Sequence, residues 1–131
     1  LEVSDAIVWH GGTSDETVIA KVANQCRVFV FPGAVGLSLI HAMAYGLPAV
    51  INDDRWGNGP EITAFGADAT GVAFAKDDGT DLADKIALII DDVQALDSWS
   101  KEAVRRADQL YNTRGMTDRV IALMDQLGDS Q

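Results

Sequence analysis

Residues 28–51, VFVFPGAVGLSLIHAMAYGLPAVI, constrain the fold of this chain more than any other stretch. Val28, Phe29, Val30 and Phe31 form an unbroken β-branched and aromatic run, which predicts a parallel strand covered on both faces and stopped by Pro32 and Gly33. Leu37, Ile40, Met43 and Ala44 then recur at helical spacing. Gly46 and Pro48 end that helix, and Ala49, Val50 and Ile51 begin a second apolar strand. The pattern is a βαβ unit. Its two-glycine turn leaves the carboxyl end of a buried strand and enters a helix. Unpaired backbone N–H groups and a positive dipole end are thereby placed at the sheet edge where α/β proteins bind ligands. The expected ligand is an anion, with phosphate the first choice.

At 131 residues, 47% of them hydrophobic, the chain suffices for one domain with a real core, and residues 1–131 read as a single domain without repeat, low-complexity tract or linker. The 20 acidic and 10 basic residues leave a formal net charge of −10. Such a charge opposes a nucleic-acid backbone or an anionic membrane surface, so neither is expected as a partner. The pairs Asp53-Asp54, Asp77-Asp78 and Asp91-Asp92 fall at predicted turns and helix starts, where solvated caps are expected. Cys26 is the one cysteine and has no internal disulfide partner; next to the strand it is expected as a small buried hydrophobe. A reducing cytoplasm fits this usage. No apolar run approaches a membrane span, and LEVSDAIV lacks the basic and then apolar order of a leader.

Before the central unit, residues 6–9 predict a short strand closed by Gly11 and Gly12, and Thr13 with Glu16 predicts a capping box. A helix carrying Val18, Ile19, Val22 and Ala23 should follow, ending near Asn24 and Gln25. After the unit, INDDRWGNGPEITAF predicts a long loop as far as Pro60, which begins a short helix with Glu61 in its first turn. Residues 71–75 read as a last strand. From Thr80 onward three amphipathic helices follow one another, marked by Leu82, Ile86, Ile89 and Ile90; by Leu96, Trp99, Ala103, Ala107 and Leu110; and by Val120, Leu123, Met124 and Leu127. Their apolar faces are expected to pack on the core. The class is α/β: a Rossmann-like three-layer sandwich with a mostly parallel sheet and a helical C-terminal tail.

Motifs narrow the chemistry. GNGPEI at residues 57–62 begins like a dinucleotide fingerprint, but Ile62 stands at the third glycine and no strand directly precedes it. There is no P-loop, paired-cysteine zinc spacing or two-histidine metal signature, so neither a metal nor another cofactor is expected. Ser38 lies in GLSLI, which lacks the following glycine of a nucleophile elbow, and reads as a first-turn helix residue. His10 and His41 each lie beyond a different predicted strand, so a shared site is geometrically open to them. His41 falls one helical turn after Leu37, on the flank leading back to the turn, where an imidazole reaches a ligand hydroxyl; a half-buried packing role stands equally open. The candidate ligand-contacting set is Gly33, Ala34, Val35, Gly36, Leu37, Ser38 and His41. No catalytic acid, base or nucleophile emerges.

Pro32, Gly36-Leu37, Ala42-Met43-Ala44, Gly46 and Pro48-Ala49-Val50, followed by Pro60-Glu61, Gly71 and the helical tail, carry a resemblance over about residues 5–111. The chain resembles the carboxyl-terminal, donor-binding domain of GT-B glycosyltransferases of the group 1 type. This is the retaining group that contains sucrose and glycogen synthases and many bacterial mannosyl- and glucosyltransferases. The resemblance implies a partial GT-B C-terminal domain whose turn at residues 33–38 receives the diphosphate of a nucleoside-diphosphate sugar. The sugar would pass to a hydroxyl acceptor with retention, as part of a longer protein, with the isolated chain inactive. Family members carry one glutamate before the Gly-Leu turn and another eight positions later, contacting the donor sugar and the ribose. Gly33 and His41 occupy those positions here. The Pro-Gly-x-Val-Gly-Leu and Ile-His pattern resembles a variant from bacterial surface-polysaccharide biosynthesis, in which histidine takes the ribose contact.

The family also implies an amino-terminal acceptor domain and two further strands that carry an arginine and a lysine for the leaving diphosphate. A truncated donor domain is therefore expected. The two strands would lie between those predicted at residues 6–9 and 28–31, so either the sheet closes up in a different order or another chain fills the gap, the missing half or a second copy as a homodimer. Three other readings stay open. A non-catalytic nucleotide or sugar-phosphate binding module would keep the turn and dispense with the carboxylates. A sugar-nucleotide epimerase would draw its acid and base from outside the chain, and a structural α/β domain would use the turn for packing alone.

Overall fold

Three parallel strands in the order β1-β2-β3 carry the fold in the computed structural model, which describes residues 3–128. They are β1 (Phe29–Phe31), β2 (Ala49–Asn52) and β3 (Gly71–Phe74). Five α-helices accompany them: α1 (Glu16–Ala23), α2 (Leu37–Ala44), α3 (Gly79–Asp91), α4 (Val93–Leu110) and α5 (Thr113–Gly128). The predicted βαβ unit is present as β1, α2 and β2. Pro60 opens a 3₁₀ helix, Pro60–Ala64, where its missing N–H costs nothing. Asp78 and Asp92 cap α3 and α4 as the acidic pairs predicted, accepting from the Thr80 and Asp81 amides and from the Ala95 amide.

Register sets which residues share a face. Val50 lies opposite Val72 and Asn52 opposite Phe74, while Ala49 and Ile51 lie opposite Gly71 and Ala73. Val50, Val72 and Phe74 pack with Ile89 of α3 and Leu96 of α4 on one face. Ala49 and Ile51 pack on the other with Val35, with Leu39 and Met43 of α2, and with Ala103 and Ala107 of α4. The result is helix, sheet, helix: three layers, with α4 long enough to serve both. Backbone approach is closest between β2 and β3. Gly71 has φ +149°, and a Cβ there would fall 1.9 Å from the Ala49 carbonyl oxygen, so glycine alone fits.

Five expectations are corrected. Residues 6–9 form no strand: Ser4–Ala6 is a 3₁₀ turn, and Ile7, Val8 and Trp9 are exposed, because a strand exists only where a partner offers its backbone. β1 is not covered on both faces. α3 lies over β2 and β3, which leaves Val30 exposed. Asp15, not Thr13, caps α1. Its Oδ1 accepts from the Thr17 and Val18 amides at 2.8 and 3.4 Å, while Thr13 Oγ1 accepts from the Asp15 amide. Cys26 is exposed, since it lies in the turn before β1 begins, with its thiol donating to the Val22 carbonyl. Finally, α5 is amphipathic but buries no residue among those described; it lies beside α4, and the sheet is already covered.

Candidate functional site

All three strands are parallel, so the carboxyl ends of β1, β2 and β3 open on the same side of the sheet, the side on which such sheets hold ligands. The turn at residues 33–36 leaves β1 there. Fully buried Val35 pins it from inside, and the loop after β2 pins it from above. Val35 N–H donates to Asn58 Oδ1 at 2.8 Å, and the Val35 carbonyl accepts from the Gly59 amide at 2.7 Å. Asn52, 5% exposed, completes the clamp. Its Nδ2 donates to the Gly33 and Pro32 carbonyls at 2.7 and 3.3 Å, while its Oδ1 accepts from the Asp54 amide and from Asn58 Nδ2 at 3.1 Å each. Every hydrogen-bonding position of that amide is filled.

This bonding decides which groups of the turn are free. Val35 has none left, whereas the amides of Gly36, Leu37 and Ser38 donate to no protein acceptor among the described residues. They open α2, whose positive dipole end they share. Ser38 is an exposed helix residue, as expected, and no base reaches it among the described residues.

Charges around the turn are mixed. A small cleft of about 120 Å³ is lined by Gly33, Ala34, Asn52, Asp54, Gly57 and Lys76. Lys76 Nζ lies 2.7 Å from Asp54 Oδ2, and its backbone amide donates to Asp53 Oδ1. The ammonium, then the Gly57 amide, hold the Asp54 carboxyl below its ordinary range, and Asp54 raises Lys76 in return. Glu61 Oε2 lies 3.8 Å from the point a Gly36 Cβ would occupy, which puts a carboxylate beside the start of α2. A second, roomier cleft of about 300 Å³ adjoins these, lined by Asn52, Asp53, Arg55, Ile62, Thr63, Phe65 and Ala73. Trp56 stands fully exposed next to it.

His41 lies on the exposed flank of α2, with Leu37 one turn before it and Tyr45 one turn after. Its Nε2 is 2.7 Å from Glu16 Oε1 of α1, and Tyr45 Oη donates to the same oxygen at 2.6 Å. The Tyr45 hydroxyl first, then His41, lower the Glu16 pKa, and Glu16 raises that of Tyr45. The two histidines do not form a joint site. His41 is engaged by Glu16 and Tyr45, while His10 lines a separate shallow depression with Trp9, Gly11 and Gly12. Sequence reasoning missed Asn52, Asn58, Glu16 and Tyr45. Only Tyr45 carried a signal, its four-residue spacing from His41. Among the described residues no group of three or more His, Cys, Asp or Glu is placed to hold a metal, and no helix is long and apolar enough to cross a membrane.

Comparison with known proteins agrees with this fold. A solved structure of sucrose-phosphate synthase from Thermosynechococcus elongatus superposes with a TM-score of 0.73 at 24% sequence identity, over 92% of this chain and 30% of that one. The likeness is one of fold, and this chain spans under a third of that protein. No curated protein matches it. The family model for glycosyl transferases group 1 matches residues 1–106, most of the chain. The chain thus belongs to the group 1 glycosyltransferases and has the fold of their carboxyl-terminal GT-B domain.

Proposed function

We propose that this chain is the donor-binding part of a glycosyltransferase acting in the cytoplasm, in which the turn at residues 33–36 and the first residues of α2 receive the diphosphate of a nucleoside-diphosphate sugar. One observation carries the reading: the amides of Gly36, Leu37 and Ser38 are free of protein acceptors, in a turn fixed by Asn52 and Asn58 at the carboxyl end of the sheet. As the sugar leaves for a hydroxyl acceptor, negative charge builds on the departing diphosphate. Preformed amides meet that charge without reorganising. The helix dipole contributes roughly 0.3–2 kcal/mol, and each hydrogen bond to a charged oxygen about 1.5–3 kcal/mol.

Among the described residues no side chain is placed as acid, base or nucleophile, and the reading assigns the remaining chemistry to groups outside them. Further cations are also needed, because Lys76 is already paired with Asp54 and Glu61 stands near the turn. An acceptor domain, with the arginine- and lysine-bearing strands that the family resemblance implies, would provide them. Among the described residues no strand lies beside the outer edge of β1, and there such a strand, or a second copy of the chain, would add to the sheet. The Pro-Gly-x-Val-Gly-Leu pattern and His41 favour bacterial polysaccharide biosynthesis as the setting.

Titration with UDP, GDP, ADP and inorganic pyrophosphate, followed by amide NMR, tests the site. Millimolar binding that moves the amides of residues 33–38 is expected. No binding of any of the four at millimolar concentration would refute it. A second reading, a non-catalytic binding module, is favoured by Gly33 and His41 standing in place of the two family carboxylates. It predicts nucleotide binding without sugar transfer once an acceptor half is restored.

A further inference from the structure

Glu16 and His41 meet from different helices, 25 positions apart in the chain, and their contact fixes more than the packing of α1 on α2. Glu16 is ionised over the ordinary pH range, its pKa being held below the usual carboxylate value by Tyr45 and His41. An ionised carboxylate only accepts hydrogen bonds. The 2.7 Å contact therefore requires the proton on Nε2 of His41, and a neutral imidazole protonated there carries a lone pair on Nδ1. Tyr45 donates to the same carboxylate oxygen, and its ring lies 5.3 Å from the imidazole, tilted against it, which limits rotation of either group.

We propose that Glu16 is a positioning residue for the ligand site: it holds His41 in the Nε2–H tautomer, so that Nδ1 accepts a hydrogen bond from a ligand hydroxyl beside the anion-binding turn. The inference rests on the reading of that turn given above. His41 follows Leu37 by one helical turn, which places it on the exposed flank of α2 that leads back to the free amides of residues 36–38. The two parts of α2 then have opposite hydrogen-bonding character. Amides at its start donate, and take phosphate oxygens; the Nδ1 lone pair accepts, takes a hydroxyl and rejects a second anionic oxygen. A ligand with an anionic end and a hydroxyl-bearing end, such as a nucleoside diphosphate, is held in one orientation.

Long-range proton–nitrogen spectra of the full chain labelled at histidine, at about pH 8 where an imidazole is neutral, read the tautomer directly. The parent protein should show His41 protonated at Nε2 and bare at Nδ1. Glu16→Ala should move it toward the tautomer mixture of a free imidazole, and Glu16→Gln, which keeps a carbonyl acceptor, should restore the parent spectrum. Asp15 caps α1, so these changes leave the helix start intact. In parallel, Glu16→Ala should weaken UDP binding about three- to tenfold, as for one lost hydrogen bond, and leave 2′,3′-dideoxy-UDP and pyrophosphate binding unchanged. An Nδ1–H form in the parent, a tautomer population indistinguishable from that of Glu16→Ala, or equal UDP affinity in the two proteins overturns the inference with the site reading intact. Failure of the parent to bind either UDP or pyrophosphate sinks the site reading and the acceptor role together, and the spectra of the free protein separate these two failures.

Discussion

Val35 and Asn58 are joined by a 2.8 Å hydrogen bond from the Val35 amide to the Asn58 side-chain oxygen, which ties the turn after β1 to the loop after β2. Asn58 also donates to Asn52, and Asn52 to the carbonyls on the other side of the same turn. The turn is therefore shaped by residues 19 to 23 positions later in the chain, at the end of β2 and beyond it.

Replacing Asn58 with alanine should cost about 1–3 kcal/mol, because the buried Val35 amide loses its acceptor; Asn52→Ala should cost at least as much, leaving two carbonyls unpaired. Urea denaturation measures this. Both variants should also weaken UDP binding, and a variant that is destabilised yet binds UDP normally would place the ligand elsewhere.

Gly36 separates folding from binding. A Cβ there meets only Glu61 Oε2, at 3.8 Å, so Gly36→Val should fold while its methyls cover the free amides. UDP and pyrophosphate affinity should both fall by at least about tenfold, equivalent to about 1.4 kcal/mol. His41→Ala should weaken UDP alone. Calorimetric titration of both variants with both ligands gives the comparison, and unchanged affinities throughout would move the site away from α2.

Two glycines should behave in opposite ways. Gly71→Ala forces a Cβ to within 1.9 Å of the Ala49 carbonyl oxygen at positive φ, so a loss of about 3 kcal/mol or more is expected, seen as a chain that fails to fold cooperatively. Gly33→Ala meets only Phe31 Cε1 at an ordinary 3.5 Å and should stay within about 0.5 kcal/mol of the parent. Thermal melts of the pair decide it.

Acid should destabilise the chain in part through Glu102. Arg105 first, then Arg106, pull its pKa from 4.5 down to about 2, and Arg106 also donates to the Ala64 carbonyl, joining α4 to the 3₁₀ helix. The folded-state pKa lies below the unfolded one. The stabilisation is thus fully present above 4.5 and is lost as pH falls through about 2. Urea midpoints followed across that window should fall less steeply for Glu102→Gln than for the parent. Parallel slopes would show that the ion pairs are screened out in solution.

Along α5, Val120, Leu123, Met124 and Leu127 are all exposed. Converting each to glutamine should change stability by no more than about 0.5 kcal/mol per site in thermal melts. A fall of several degrees in Tm would show that the helix packs on the core in solution.

Local physics made much of this protein legible from its residues alone. The apolar runs, helical spacing and Gly/Pro punctuation of residues 28–51 specify the βαβ unit; Pro60 marks the 3₁₀ helix, and Asp78 and Asp92 mark helix starts, because each acts within a few residues of itself. The free amides at the start of α2 follow from the same local rules. Tertiary structure decided what depends on a partner distant in sequence. Whether residues 6–9 become a strand, whether β1 is covered on both faces, and whether α5 packs depend on which backbones and faces are adjacent, and a sequence pattern does not encode adjacency. The same holds at the site. Asn52 and Asn58 shape the turn, and Glu16 orients His41, through hydrogen bonds spanning 19 to 25 positions, which exist only once the sheet and its helices have brought those residues together.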